Sequence, residues 1–447
     1  MSELLEAYRR VRGATRGIVE PLEPEDCCIQ SMPDVSPIKW HLAHTTWFFE
    51  QFALRGFEPG FREEHPAYAV LFNSYYNAVG PQHCRTRRGA LSRPTVREVM
   101  AYRASVDRRV EAMLTREPVS EALRSVVTLG VHHEQQHQEL MVTDLKHVLS
   151  SNPLMPVYHT RDPDGGREDA ADDPVLGGAY EPPIWRGFDG GVVSIGRPGD
   201  AAGFAFDNEA PRHRVFLEPF ALAAGKVTNR GFAAFIADGG YQRPELWLSA
   251  GWATVQREGW DRPLYWYREQ EGGPWMEFSL AGPRPIRARA PVCHVSYYEA
   301  DAYARWMALH EPGTVLPTEQ QWEHAAAHGD HPRTPGRFAD TGVFEPSAVV
   351  GVAEGETGFT GWAGDAWEWT SSSYAAYPGY AAAPGALGEY NGKFMVGQQV
   401  LRGGSCATPS SHLRPTYRNF WSPATRWQYA GVRLAGRKPM NDACPAG

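Results

Sequence analysis

At 447 residues the chain is too long for one ordinary core, so two or three domains are expected. With 42% hydrophobic and 21% charged residues it is not a disordered chain, and its net charge of −8 argues against nucleic acid or anionic membrane as partners. No apolar run approaches the ~20 residues of a membrane span, the charged start MSELLEAYRRVRG lacks the apolar stretch of a secretory signal, and six cysteines lie scattered without CxxC pairs, which together predict a cytoplasmic protein.

Helical periodicity runs through residues 2–18, 37–54, 95–115 and 119–150. Pro37 after Ser36 suits a first helical turn, and Ser120-Glu121 has the preferences of a helix start. Helices of this length predict a bundle over residues 1–150. Between the second and third, Asn73-Ser74-Tyr75-Tyr76-Asn77 reads as an ordered polar and aromatic loop. Residues 151–185 are rich in Pro, Gly and Asp without a period and read as a linker. Beyond it, short strands punctuated by Gly and Pro predominate, with helices expected near 228–238, 297–309 and 318–327 and no solenoid or propeller repeat. The expected class is α+β multidomain: a helical bundle, the linker, and a mixed α/β domain over residues 186–440.

The bundle carries the chemistry. In His132-His133-Glu134-Gln135-Gln136-His137 the face through Leu129, Gly130, His133, His137, Leu140 and Asp144 turns His133 and His137 inward, four residues apart, as metal chelation on a helix requires. His132 is rotated about 100° from that face. In the second helix, Trp40, Ala43, His44 and Trp47 share an apolar face, whereas His41 turns aside with Thr45. One inward histidine is ordinarily a hydrogen-bonded core residue, but three from two helices would each need a buried partner. His44, His133 and His137 therefore form a candidate metal site. His133 to His137 also match the HExxH of zinc proteases, yet no Gly or His continues the motif as metzincins require. Three neutral imidazoles suit Zn, Fe, Ni or Cu on ligand type alone.

The second half carries ordered motifs: Phe206-Asp207-Asn208-Glu209 with Pro211, Val227-Thr228-Asn229, Leu316-Pro317-Thr318-Glu319, Trp322-Glu323, Gly364-Asp365-Ala366-Trp367-Glu368-Trp369-Thr370, Leu401-Arg402-Gly403-Gly404-Ser405 and Gly431-Val432-Arg433-Leu434. Residues 190–435 thereby resemble the formylglycine-generating-enzyme/sulfatase-modifying domain, a C-type-lectin-like fold. Its active members carry a copper-binding cysteine pair. Here Cys406 stands near the first location and Asn419 at the second, so that activity is not expected. The first half resembles the DinB-like four-helix family, whose three-histidine site matches His44, His133 and His137. The two fused in this order, over about residues 5 to 436, resemble the sulfoxide synthases of ergothioneine biosynthesis; the chain is too short to hold the methyltransferase domain that related ovothiol-pathway enzymes usually add.

That resemblance implies Fe(2+), O2, hercynine (trimethylhistidine) and a thiol, either cysteine or γ-glutamylcysteine. It implies a C–S bond at imidazole C2 together with a sulfoxide. It also implies a tyrosine hydroxyl near the oxygen site, which prevents oxidation of the thiol alone. One branch places this tyrosine before the Thr of the WEWT-like motif, where this chain has Trp369. A second branch uses a tyrosine pair in the DinB-like loop, which Tyr75 and Tyr76 match, so Tyr75 is expected to act with Tyr76 in support; simple packing at the domain seam is the other reading. By the same resemblance Gln136 would reach the hercynine carboxylate and Asn419 its trimethylammonium, with Phe420 and Trp421 offering aromatic faces. The charged pair that anchors γ-glutamylcysteine in the first branch is replaced by Trp421 and Thr425, with Arg426 one residue displaced, so free cysteine is expected. Arg85 and Arg87 offer a carboxylate site, or else form a solvated charge run. Two other classes stay open: a zinc-dependent DinB-like thiol transferase, and a non-enzymatic lectin-like module with a structural metal.

Overall fold

The computed structural model describes residues 2–116, 118–159, 180–327, 333–347, 358–382 and 385–437. Its first half is the expected bundle. Glu3–Val19 starts at Ser2, whose hydroxyl accepts from the Leu5 amide. Val96–Thr115 opens on a capping box between Thr95 and Glu98, and Glu121–Ser150 is capped by Ser120. The second helix, Ile38–Phe48, continues through a π-helical stretch, Phe49–Leu54. This stretch packs so close to the long fourth helix that a Cβ at Gly130 would lie 2.4 Å from the Phe49 ring. Only glycine fits there.

Glu134 shows how the bundle is tied. Its carboxylate takes Arg12 at 2.8 Å, the Thr15 hydroxyl at 2.6 Å, and Arg103, all buried. Paired with two guanidinium groups from the first and third helices, it ionises far below the usual range, at about 2, against the opposing effect of burial. The residue that imitates a protease base is a structural anchor.

The second half is built of small sheets. Four strands run in the order Asn419–Trp421, Gln399–Arg402, Trp367–Ser373, Ala430–Gly431, the last pair parallel. A three-stranded sheet joins Trp185–Phe188, Phe220–Ala223 and Ala435–Arg437, bringing the two ends of the domain together. The expected helices appear as Asn229–Ala237, Tyr297–Met307 and Glu319–Ala327, and Ser249–Glu258 is an additional one. Motif residues Glu368, Arg433 and Trp322 form one buried network with Lys226, Glu368 holding Lys226 and Arg433 at 2.9 Å each and the Trp322 indole at 2.7 Å. They hold the fold together, away from the cavity described below.

The bundle ends at Ser150 and the first strand begins at Trp185. Of the expected linker, residues 160–179 lie outside the described residues, as do residues 438–440 of the second domain; Tyr158 donates its hydroxyl to the Ile18 carbonyl at 2.7 Å while its amide reaches Leu280 of the second half. The fourth helix is shared by both halves. Its stripe of Gln135, Gln136, Glu139, Thr143 and Lys146 meets Ser411, Tyr417, Trp367 with Ser405 and Thr408, Gln428 and His294 respectively. Among the described residues no helix is long and apolar enough to cross a membrane.

Candidate metal centre and substrate cavity

His44, His133 and His137 converge. One ring nitrogen from each lies within 4.8 Å of the others, and all three residues are buried. His44 Nδ1 is 2.6 Å from the Phe72 carbonyl oxygen, so Nδ1 carries the proton and Nε2 presents its lone pair; that Nε2, and both nitrogens of His133, have no hydrogen-bond partner among the described residues. Burial pushes all three imidazoles down, His133 to about 3, so each is neutral and ready to ligate. Buried nitrogens left unpaired in this number have a ready explanation in a metal ion.

His41 is where helix geometry alone misplaces a residue. It is buried, with Nδ1 2.8 Å from His137 Nδ1 and Nε2 3.1 Å from Asp144 Oδ2, which also accepts from the Ser36 amide at 2.8 Å. His137 Nδ1–H therefore donates to His41, and His41 to Asp144, leaving His137 Nε2 for a metal. His132 stacks on Phe204 at 4.0 Å and faces His412 across the seam, away from the triad.

The triad opens through His137 onto a cavity of about 400 Å³ between the halves. From the bundle come Trp40, His41, Tyr75, Arg85, Arg88, Gln136 and Asp144; from the second half come Tyr390, Phe394, Tyr417 and the edge strand Asn419, Phe420 and Trp421. Tyr75 faces this space, and burial pushes its phenol up, offset in part by the neighbouring Tyr76 and Tyr390 hydroxyls. Tyr76 packs behind it against Trp47, Phe48 and Phe52 and does not line the cavity. Trp369 is fully buried elsewhere, its indole donating to the Val295 carbonyl at 2.9 Å. Gln136 donates one amide hydrogen to the Tyr417 hydroxyl at 2.7 Å, and Phe420 stacks on Tyr374 at 3.9 Å.

The structure separates the arginines. Arg87 is exposed and does not line the cavity, and Arg426 is held outside it by Glu299 at 2.8 Å over the Trp260 ring. Arg85 does line it, joined by Arg88, which the sequence reading passed over. Residues Arg85–Ala90 form a 3₁₀ turn, and at three residues per turn positions 85 and 88 share a face that 87 cannot. The Arg88 guanidinium lies 3.3 Å above the Trp40 ring, Trp40 stacks on His44 at 4.6 Å, and Nη1 reaches the Ser36 hydroxyl at 2.9 Å. Its Nε is buried without a partner among the described residues; burial first, and Arg85 second, push its pKa down to about 9. Asp144 offsets this only in part, so the buried cation has room for a further anion. Tyr390 was also missed, because the loop that supplies it has no periodicity to read.

Residues 7–141 match the DinB superfamily and residues 188–438 the sulfatase-modifying factor enzyme 1-like domain. The chain is similar to a hercynine oxygenase of Mycobacterium tuberculosis, 32% identical over 443 residues, covering 95% of this chain and 96% of the relative. One from Mycolicibacterium thermoresistibile is 34% identical over 426 residues, covering 90% and 88%. A formylglycine-generating enzyme of Streptomyces coelicolor is 30% identical over 294 residues, covering 56% of this chain and 88% of the relative.

Proposed function

Because the chain belongs to the hercynine oxygenase family and is an O2-dependent oxidoreductase, we propose that it forms the C–S bond between cysteine and C2 of hercynine, with sulfoxidation, at an iron(II) ion held by His44, His133 and His137. The observation that carries this reading is the placement of the unpaired imidazoles. Their triad opens, through His137, on a cavity whose walls supply a phenol, a guanidinium and an aromatic edge strand.

A ferrous ion at the triad would supply O2 activation and a common attachment point for thiolate and imidazole. The residues of the chain do the rest. Arg88, with Arg85, takes the carboxylate of the thiol substrate. Gln136 has a second amide hydrogen for the hercynine carboxylate, while Asn419, Phe420 and Trp421 face its trimethylammonium. Holding both substrates in one geometry removes a barrier of ~7–11 kcal/mol.

The balance of atoms gives Tyr75 its role. Thiol, imidazole C2–H and O2 yield the sulfoxide and one water: the two hydrogens leave with one oxygen and the other stays on sulfur. The competing reaction, thiol and O2 to a sulfinic acid, keeps both oxygens on sulfur and releases no water. A phenol kept protonated by burial at the cavity wall favours the first route.

Free cysteine fits better than γ-glutamylcysteine, because Trp421 occupies cavity wall and Arg426 could reach a glutamyl group only by leaving buried Glu299. The free cysteines Cys27, Cys28, Cys84, Cys293 and Cys406 support a cytoplasmic setting. The deciding experiment is anaerobic purification with metal analysis, followed by O2 uptake with each substrate alone and with both. Iron, and coupled uptake yielding hercynylcysteine sulfoxide only with both, is expected; zinc with no O2 uptake would return the chain to the thiol-transferase class.

A further inference from the structure

The tyrosine loop holds only part of itself in place. Asn73 binds the Tyr76 amide through Oδ1 at 3.1 Å and the Tyr76 and Gly80 carbonyls through Nδ2 at 3.1 and 3.0 Å, which fixes the residue behind Tyr75. The rest of the loop has short bonds of its own, from Asn77 to the Tyr75 carbonyl and from Val79 to the Tyr76 carbonyl at 3.0 Å each, and it is also tied from more than 300 residues away. Glu389 accepts from the amides of Asn77 at 3.1 Å and Ala78 at 2.8 Å, one carboxylate oxygen for each. Lys393 donates to the Tyr75 carbonyl, pairs with Glu389 at 2.9 Å, and sits 5.2 Å from the Tyr75 ring centroid. Beside these two, Tyr390 and Phe394 wall the phenol at 6.0 and 5.1 Å. The segment is itself braced, since Asn391 donates to Asp207 at 2.6 Å.

Neither Glu389 nor Lys393 lines the cavity, and their side chains stay 22% and 29% exposed. A pair so exposed adds little to stability. What it does is specific: it grips the backbone on both sides of Tyr76 and so fixes the height and tilt of the phenol at the cavity wall. We propose that Glu389 and Lys393 are positioning residues, a clamp from the lectin-like half that sets how much substrate leaves as sulfoxide and how much as sulfinate. This rests on the reading of Tyr75 as the hydrogen donor. Displacement of the phenol by an ångström is enough to matter for such a transfer.

The test compares Glu389→Ala, Glu389→Gln, Lys393→Met and Tyr75→Phe in the full chain. Amide exchange of residues 73–80 is measured alongside the sulfinate-to-sulfoxide ratio and the bound metal. In Glu389→Ala, exchange at Ala78 should rise about tenfold, and by less at Asn77, whose amide also reaches the Tyr75 carbonyl. Its sulfinate share should rise about threefold or more, with metal stoichiometry unchanged. Lys393→Met should move the product ratio the same way, and Glu389→Gln, whose single amide oxygen still accepts, should fall between wild type and alanine. A product shift in Tyr75→Phe with wild-type ratios in both Glu389→Ala and Lys393→Met overturns the clamp alone. Wild-type ratios in Tyr75→Phe overturn the donor reading and the clamp with it.

Discussion

Replacing His41 by Phe keeps a buried ring in place and deletes both nitrogens. His137 Nδ1–H then loses its acceptor at 2.8 Å, while Asp144 keeps the Ser36 amide at 2.8 Å. The metal loses no ligand, only the bond that orients one. Removing such an outer partner typically lowers metal affinity by about 10–100-fold, or ~1.4–2.7 kcal/mol. That agrees with the ~1–3 kcal/mol expected for stranding a buried N–H. Ferrous ion titrated anaerobically against a competing chelator should give one ion per chain at saturation in both proteins, with a Kd raised by that factor in His41→Phe. His44→Ala should instead lose the ion. An unchanged Kd in His41→Phe would refute the orienting bond, and loss of stoichiometry equal to that of His44→Ala would make His41 a ligand.

Tyr75→Phe should still bind both substrates but shift product from sulfoxide towards cysteine sulfinate, whereas Tyr76→Phe, behind the cavity wall, should keep the wild-type ratio; mass spectrometry of the products distinguishes them. Arg88→Met should raise the KM for cysteine about tenfold or more while Arg87→Met leaves it near wild type, and equal effects in steady-state kinetics would undo the assignment of the carboxylate site. kcat/KM should favour cysteine over γ-glutamylcysteine by roughly two orders of magnitude or more, since unpaired glutamyl charges cost several kcal/mol; the reverse order would point to Arg426. Glu134→Gln should cost about 3–5 kcal/mol in urea unfolding because it leaves two buried guanidinium groups underpaired, and an unchanged unfolding midpoint would remove its anchoring role.

Periodicity was enough to place the four bundle helices and the inward turn of His44, His133 and His137, because a helix repeats its faces at a fixed angle. It failed at His41, whose position on its helix says nothing of the neighbouring helix that brings Asp144 and His137 to it. The arginines show a different limit. Charge alone singled out Arg85 and Arg87, but the short 3₁₀ turn decides that 88 joins 85. Ser249–Glu258 was missed because its Gly251 and Thr254 weaken a helical reading, and the first of these abuts Tyr298 so closely that a Cβ would lie 3.0 Å from it. Glu389 and Lys393 were invisible for the simplest reason: their partners are more than 300 residues away.

The stripe of the fourth helix that meets the lectin-like half also bears on how the molecule assembles. Two amides, a carboxylate, a hydroxyl and an ammonium group line the bundle's side of that seam. Before the halves meet, water can satisfy each of these groups, whereas the apolar surface beside them, one cluster shared by both halves, favours docking in any register. The demand comes at docking, when each group must exchange water for its particular partners. A misdocked pair would strand Glu139 or Lys146 without one, and such a pair falls apart. Correct docking also closes the cavity wall, so the polar pairs that fix how the halves meet fix the shape of the cavity as well.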